Sequence, residues 1–400
     1  MTCVLGKKGC QEYNVSCVYT RVIAAPHLLD ELCLLTSQSL PVMKTSEHFQ
    51  VLKLLGEGSY GQVMLAVHRE RGTPMALKFF PREATPLASF LREYQVSLSF
   101  CRHPALTRAL GIAYSTPAHY VFAQQAGLHG DLYARILPEV GMEEAAAQRV
   151  VSQLAGALSH LHALGFVHRD LKPENVFLCD AACRHVKLGD FGMVKAVGAR
   201  VPEVWYSSPY CAPESEVARG NQDCVEEEEE EDEEEEKEEG KRKKKKAARV
   251  WVSVETATDS WALGILTYAM LTGTHPWAQT AGDCRAYRKY REWVDGAGEE
   301  EEEDEEEETE EEEEDGPLPL PPSPAAVAPQ FACFTAPARR FFRTLLDPRP
   351  RRRGRPEGAL RYLGGEWVME EERKRLEEER KRLEEERKRL VQDNKNTGGL

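Results

Sequence analysis

The sequence has no long apolar run, no paired-cysteine pattern and no leader-like start. Its longest apolar stretch, Trp261–Leu271, is too short to cross a bilayer, so no membrane association is expected and the chain reads as soluble. No charged segment followed by an apolar one and a cleavage site opens it. Eleven cysteines form an odd set, which points away from disulfide stapling and toward a reducing, cytoplasmic setting. Cys3, Cys10 and Cys17 recur every seven residues, but no nearby His or C-x-x-C spacing supports a metal site, so they read as free thiols.

What is abundant is charge, in blocks. The net charge of −15 comes from two runs: thirteen acidic residues in 226–239 and sixteen in 299–315. Without them the chain carries about +14, and about +7 once Lys237 and the basic block Lys241–Lys246 are set aside as well. Such runs cannot bury a core and are expected to be disordered. The folded remainder is only mildly basic, which says little about partners; no nucleic-acid partner is expected, and the oligomeric state is left open.

Residues 1–48 show no strong period and are left as an arm of unknown structure. Residues 49–80 alternate apolar and polar in "FQVLKLL", "GQVMLAVH" and "PMALKFF", which predicts three antiparallel strands. A helix is expected at 86–99, strands at "GIAYST" and "HYVFAQ", and a helix over 143–164 closed by Gly165. Two short strands follow at "NVFLCD" and "HVKLGD", then helices at 258–272, 282–294 and 336–346. Strands first and helices later predict an α+β protein with a small sheet lobe and a larger helical lobe. Residues 370–390 repeat "EEERKRL" with one Leu per heptad (Leu376, Leu383, Leu390), half of what a coiled-coil seam needs. With i,i+4 pairs Glu370–Lys374 and Glu371–Arg375, this segment is expected to be an isolated, solvated helix.

Several motifs carry chemistry. In "LLGEGSYGQV", Gly56, Gly58 and Gly61 let a strand-to-strand turn lie close over phosphates with backbone N–H groups inward. Lys78 sits inside the apolar strand "MALKFF", where an ammonium needs a partner, and Glu93 on the next helix can supply one. In "VHRDLKPENVF", Asp170 is placed to accept a proton, Lys172 to neutralise a phosphoryl group and Asn175 to hold a divalent ion. "LGDFGM" adds Asp190 as a second hard oxygen ligand. Singly, each has an ordinary structural explanation; the ordered set does not.

With these motifs, residues 49–368 resemble the eukaryotic protein kinases, most closely the SH3-binding-domain kinase family through "MALKF", "FLRE", "YVFAQ", "VKLGDFGM" and the "PY-x-APE" ending. The resemblance implies a two-lobed fold, with lobes at about 49–126 and 127–368, and transfer of the ATP γ-phosphate to Ser or Thr of a protein substrate. It implies Lys78, held by Glu93, on the α/β-phosphates, with Asn175 and Asp190 on Mg²⁺. It places Asp170 at the acceptor hydroxyl with Lys172 beside it. ATP would also contact Leu55, Gly56, Glu57, Gly58, Ser59, Tyr60, Gly61, Gln62, Val63 and Ala76. Counting back from Asp131, the ribose contact, puts Gln124 at the gatekeeper and Gln125-Ala126 in the hinge. The main alternative is a catalytically dead scaffold that binds partners through its charged and proline-rich segments.

The acidic–basic run after Ala212-Pro213-Glu214 raises the question of domain count. The motif Asp259-x-Trp261-x-x-Gly264, which follows the APE motif closely in kinases, stands beyond it, and Arg351 in "LLDPRPR" fits the Arg that pairs with Glu214. Residues of about 219–250 and 297–328 are therefore expected as inserts in one lobe, which costs little because loop-closure entropy grows only logarithmically. Arg169 before Asp170 suggests control by an activation-segment phosphate, yet no Ser, Thr or Tyr lies between Asp190 and Trp205. Glu203 occupies that register and is expected to stand in for the phosphate. Ser207 falls where kinases usually have Thr; Ser208 and Tyr210 are further phosphoacceptor candidates. "PLPLPPSP" (317–324) offers P-x-x-P to an SH3 domain, and 241–249 a nuclear import signal.

Overall fold

The computed structural model describes residues 26–58, 61–100, 102–201, 209–216, 251–280, 284–306 and 327–397. The arm left open by the sequence contains a helix, α1 (Pro26–Ser39), followed by an extended segment and a single turn at Thr45–His48. Then come strands β1 (Phe49–Gly58), β2 (Gly61–His68) and β3 (Pro74–Pro81), helix α2 (Leu87–Ser99), and strands β4 (Ala109–Ser115) and β5 (His119–Gln124). The five strands form one antiparallel sheet in the order β1-β2-β3-β5-β4. Alternation sets the register: Lys78 lies opposite Val63 on β2 and Phe122 on β5, while Leu77 and Ala123 are fully buried. Gly61 adopts φ +130°, and a Cβ there would lie 1.9 Å from the Phe79 carbonyl oxygen, so only glycine lets the β1–β2 turn fold so close to β3.

The larger lobe is built on α3 (Glu144–Ala163), whose stripe Ala147, Val150, Val151, Leu154, Leu158 and Leu161 is wholly buried. Short pairs β6 (Phe166–Val167) with β9 (Lys195–Ala196), and β7 (Val176–Leu178) with β8 (Val186–Leu188), frame the loops that matter below. Helix α4 (Ala257–Thr272) is buried all round from Thr258 to Leu271, and its Gly264 lets Leu346 approach where a Cβ would meet Cδ2 at 2.6 Å. Helices α5 (Arg285–Glu306) and α6 (Ala336–Leu345) complete the lobe, with Phe331, Phe334, Phe341, Phe342 and Trp367 packed as one aromatic core. The backbone of α5 continues past 294 into the second acidic run.

Both sides of the first charged segment belong to this lobe. Strand β10 (Arg200–Val201), before it, pairs with β11 (Val252–Ser253), after it. The predicted Arg351–Glu214 pair is corrected by two positions. Arg353, not Arg351, grips Glu214, with both guanidinium Nη atoms donating at 2.7 and 2.9 Å, and its guanidinium lies over the Trp261 ring. Asp347 accepts from the Arg349 backbone and side chain, and the turn this starts brings Arg353 inward and leaves Arg351 exposed. Arg353→Ala should therefore cost about 2–3 kcal/mol in denaturant unfolding, since a buried cation is removed from a partly exposed carboxylate. Arg351→Ala should stay within about 0.5 kcal/mol.

The last helix, α7 (Glu370–Thr397), corrects a second expectation: it is not isolated. Leu376 is buried in a groove with Met142, Leu271 and Val368, Leu383 packs against the same core, and Arg373 bridges to Glu366 at 2.8 Å. Lys374 pairs with Glu370 as expected, but Arg375 takes Glu372 rather than Glu371.

Candidate active site

The sheet and the helical lobe face each other across a cleft lined by Leu55, Gly56, Glu57, Gly58, Gly61, Val63 and Ala76 above and by Asp170, Lys172, Asn175 and Asp190 below. Lys78 reaches into it from β3. Its Nζ donates to Glu93 Oε1 at 2.7 Å and to Asp190 Oδ1 at 2.9 Å, and the Lys78 and Glu93 side chains are each under a tenth exposed. Burial alone would push the ammonium down, but the carboxylates of Asp190 and Glu93 outweigh it and hold the group above the ordinary lysine range. Asp190 ends below the usual carboxylate range, its own burial offset by the Lys78 charge. Burial raises the Glu93 carboxyl, and Lys78 pulls it only part of the way back.

The proton acceptor is held as firmly. Asn175 Nδ2 donates to the Asp170 carbonyl at 2.7 Å and to Oδ2 at 2.8 Å, while Lys172 Nζ donates to Oδ1 at 3.0 Å. Both carboxylate oxygens are thus fixed in direction, and the Asn175 side-chain oxygen Oδ1 is left as an acceptor. Below them, Asp259 at the start of α4 accepts the backbone N–H of His168 at 2.8 Å and of Arg169 at 2.9 Å, with His162 Nε2 within 2.9 Å. Those bonds stabilise the left-handed turn at Arg169, φ 69°, that presents Asp170. Burial would raise the Asp259 carboxyl, but the His162 hydrogen bond keeps it below the usual range. Asp190 is likewise left-handed, φ 58°, and the next residue, Phe191, is buried beside His168 and Phe100.

A lysine bridging two carboxylates, a carboxylate fixed by Asn and Lys, and a glycine turn over one cleft form a phosphoryl-transfer constellation. A protein kinase domain model matches residues 49–224. Serine/threonine-protein kinase SBK1 of Danio rerio is 34% identical over 349 residues, covering 87% of this chain and 76% of that protein. The chain belongs to the SH3-binding-domain kinase family. Human serine/threonine-protein kinase SBK2 is 33% identical over 348 residues, 87% of this chain and 85% of its own. The more distant Drosophila melanogaster kinase meng-po is 28% identical over 250 residues, 62% of this chain and 48% of its own. This kinase is accordingly a serine/threonine-protein kinase that uses ATP. The domain match ends inside the first charged segment, although the same lobe resumes at β11.

Most sequence-assigned residues meet in the cleft; a few do not. Gln124, Gln125, Gly127 and Asp131 line it, with Ala126 between two of them in the chain. Phe177 on β7 rises beneath the hinge so closely that a Cβ on Gly127 would sit 2.7 Å from its Cβ. The Gln125 N–H is bound to the Arg108 carbonyl, which leaves its own carbonyl for a ligand. Gln62 donates to Glu57, itself a residue of the cleft lining, across the β1–β2 hairpin. Ser59, Tyr60, Glu203, Ser207 and Ser208 lie outside the described residues, as do the proline-rich 317–324 and the basic 241–249. Tyr210 is half-buried, with its hydroxyl 3.1 Å from His275 Nε2, and burial raises its pKa. Phe177, Gly127 and the positioning role of Asp259 were missed in the sequence. Only the acid opening an otherwise apolar helix offered a signal.

Proposed function

We propose that this kinase is catalytically competent and phosphorylates Ser or Thr of protein substrates with Mg²⁺·ATP. The observation that carries this is the unbroken pair of contacts from Lys78 to Glu93 and Asp190, together with an Asp170 whose two oxygens are already oriented. A scaffold has no need to bury a lysine and a glutamate in register. Asn175 and Asp190 fit a divalent metal: each offers a hard side-chain oxygen beside the proton acceptor, and the Asp190 side chain is 30% exposed toward the cleft. Bound there, the ion would supply charge neutralisation for the transferring phosphoryl group. Lys78 orients the α/β-phosphates, the glycine turn covers them, and Asp170 receives the acceptor's hydroxyl proton as Lys172 offsets charge.

Glu174 and Asp131, both in the cleft lining, favour basic residues ahead of the acceptor. A Glu203 carboxylate near Arg169 would free the kinase from upstream phosphorylation. An SH3 domain on 317–324 and an import receptor on 241–249 are the partners the composition suits, with a cytoplasmic base location. The test is phosphorylation of an arrayed peptide library by the purified full chain, with and without a magnesium chelator. Transfer confined to Ser and Thr, abolished by the chelator, is expected. No transfer in magnesium would leave the scaffold alternative standing.

A further inference from the structure

The catalytic Lys78–Glu93 bond is only as good as the position of α2, and α2 has little to hold it from within. It is 13 residues long, lacks a side-chain bond at its N-cap, and spends Ser97 and Ser99 on their own backbone carbonyls. The burial of Glu93 also works against the bond. A buried carboxylate gains hydration whenever its helix swings outward, and that gain opposes its attraction to Lys78.

The N-terminal arm opposes that swing. Helix α1 lies along α2, with Asp30 bridging to Arg92, the neighbour of Glu93, at 3.0 Å. Thr36 accepts a hydrogen bond from the buried Gln95. Leu29, 4% exposed, joins the apolar cluster that holds Val96 and Phe100, and Phe100 meets Phe191 at 5.2 Å between ring centroids. Cys33 packs against this cluster and against the one formed by Phe80, Phe90 and Phe122 under the sheet. The far end of α1 is tied down as well: the Pro41 carbonyl accepts from Ser115 N–H at 2.8 Å, and Met43 N–H donates to the Ser115 carbonyl at 3.0 Å, along the edge of β4. The arm is thus anchored to the sheet at one end and grips α2 on both sides of Glu93.

We propose that α1 is a positioning element for catalysis: through Leu29, Asp30 and Thr36 it holds α2 where Glu93 reaches Lys78, and so sets kcat. The proposal rests on the kinase reading above, and its test separates the two. In the full chain, Leu29→Asp should lower kcat by about tenfold to a hundredfold, the scale of a small misplacement of catalytic groups. Asp30→Arg should lower it about twofold to fivefold, as befits an exposed pair, and adding Arg92→Asp should restore it. In a Glu93→Gln background both losses should shrink toward none, because α1 acts through that carboxylate. Losses of equal size in both backgrounds would show that α1 merely stabilises the lobe, and would overturn the proposal. Hydrogen exchange supplies a readout that needs no activity. Leu29→Asp should deprotect the α2 amides while β3 and β5 stay protected, and unchanged α2 protection would equally overturn it. A wild-type chain without phosphotransfer, but with α2 deprotected by Leu29→Asp, would instead sink the kinase reading and the kcat claim with it, while the hold of α1 on α2 stood.

Discussion

Replacing Asp170 with Ala or Asn should lower kcat by about 10²–10⁴ while ATP affinity stays the same or tightens. The two halves of this outcome come from different parts of the cleft. Asp170 faces the acceptor side, where Asn175 and Lys172 fix its oxygens at 2.8 and 3.0 Å. Lys78 and the Gly56–Gly61 turn, placed to hold the phosphates, belong to the other lobe. Removing one negative charge beside the triphosphate relieves repulsion of its phosphates, which offsets any slackening of Asn175 once its Asp170 partner is gone. Asn keeps the shape but has no anionic oxygen, and its amide nitrogen would meet either Asn175 or Lys172, both donors. Single-turnover transfer measured with isothermal titration of ATP separates the effects. Equal turnover by wild type and variant would mean that any phosphate incorporated comes from a contaminating kinase.

The second large effect is expected at Lys78, and it is as much structural as catalytic. Lys78→Ala should abolish transfer and also destabilise the chain by about 3 kcal/mol, the lower end of the range for removing one partner of a buried pair. The lower end applies because Asp190 is 30% exposed and can turn to water, whereas Glu93, at 8%, cannot. Without the ammonium, Glu93 is left buried with the like charge of Asp190 near it. Pairing Lys78→Met with Glu93→Leu removes both charges and should recover most of the stability and none of the activity. Thermal melts of the three proteins, alongside transfer assays, check this. A single variant as stable as wild type would mean that Glu93 has another cation within reach.

Much of this site was legible because its parts are local. Alternation placed Lys78 inside β3, and spacing alone set Asp170, Lys172 and Asn175 within one turn of chain. The failures arose where packing between distant segments decided the outcome. In α1 the apolar residues spread around the helix, with Leu34 and Leu35 each 60% exposed, so the face carrying Leu29 and Cys33 was hidden in a blurred pattern. In α7 one Leu per heptad was too thin for a partner helix, yet enough for a groove in which Met142, Leu271 and Val368 supply the rest. The run Arg349–Arg355 offered several candidates for Glu214, and only the turn begun by Asp347 selects Arg353. Gly127 was missed because its need arises from Phe177, fifty residues on and invisible to any local pattern.

The clasp between Glu214 and Arg353 joins positions 139 apart, and both long charged stretches lie between them. A protease that cut in each of those stretches would therefore sever the chain without separating its pieces: β10 would still pair with β11, and α4 and α6 would remain in the core. The nicked enzyme would keep its size and its working cleft under native conditions and fall into fragments only in detergent. Cleavage there is a poor way to take this fold apart, and an intact band on a denaturing gel is a poor guide to how much of it stands assembled.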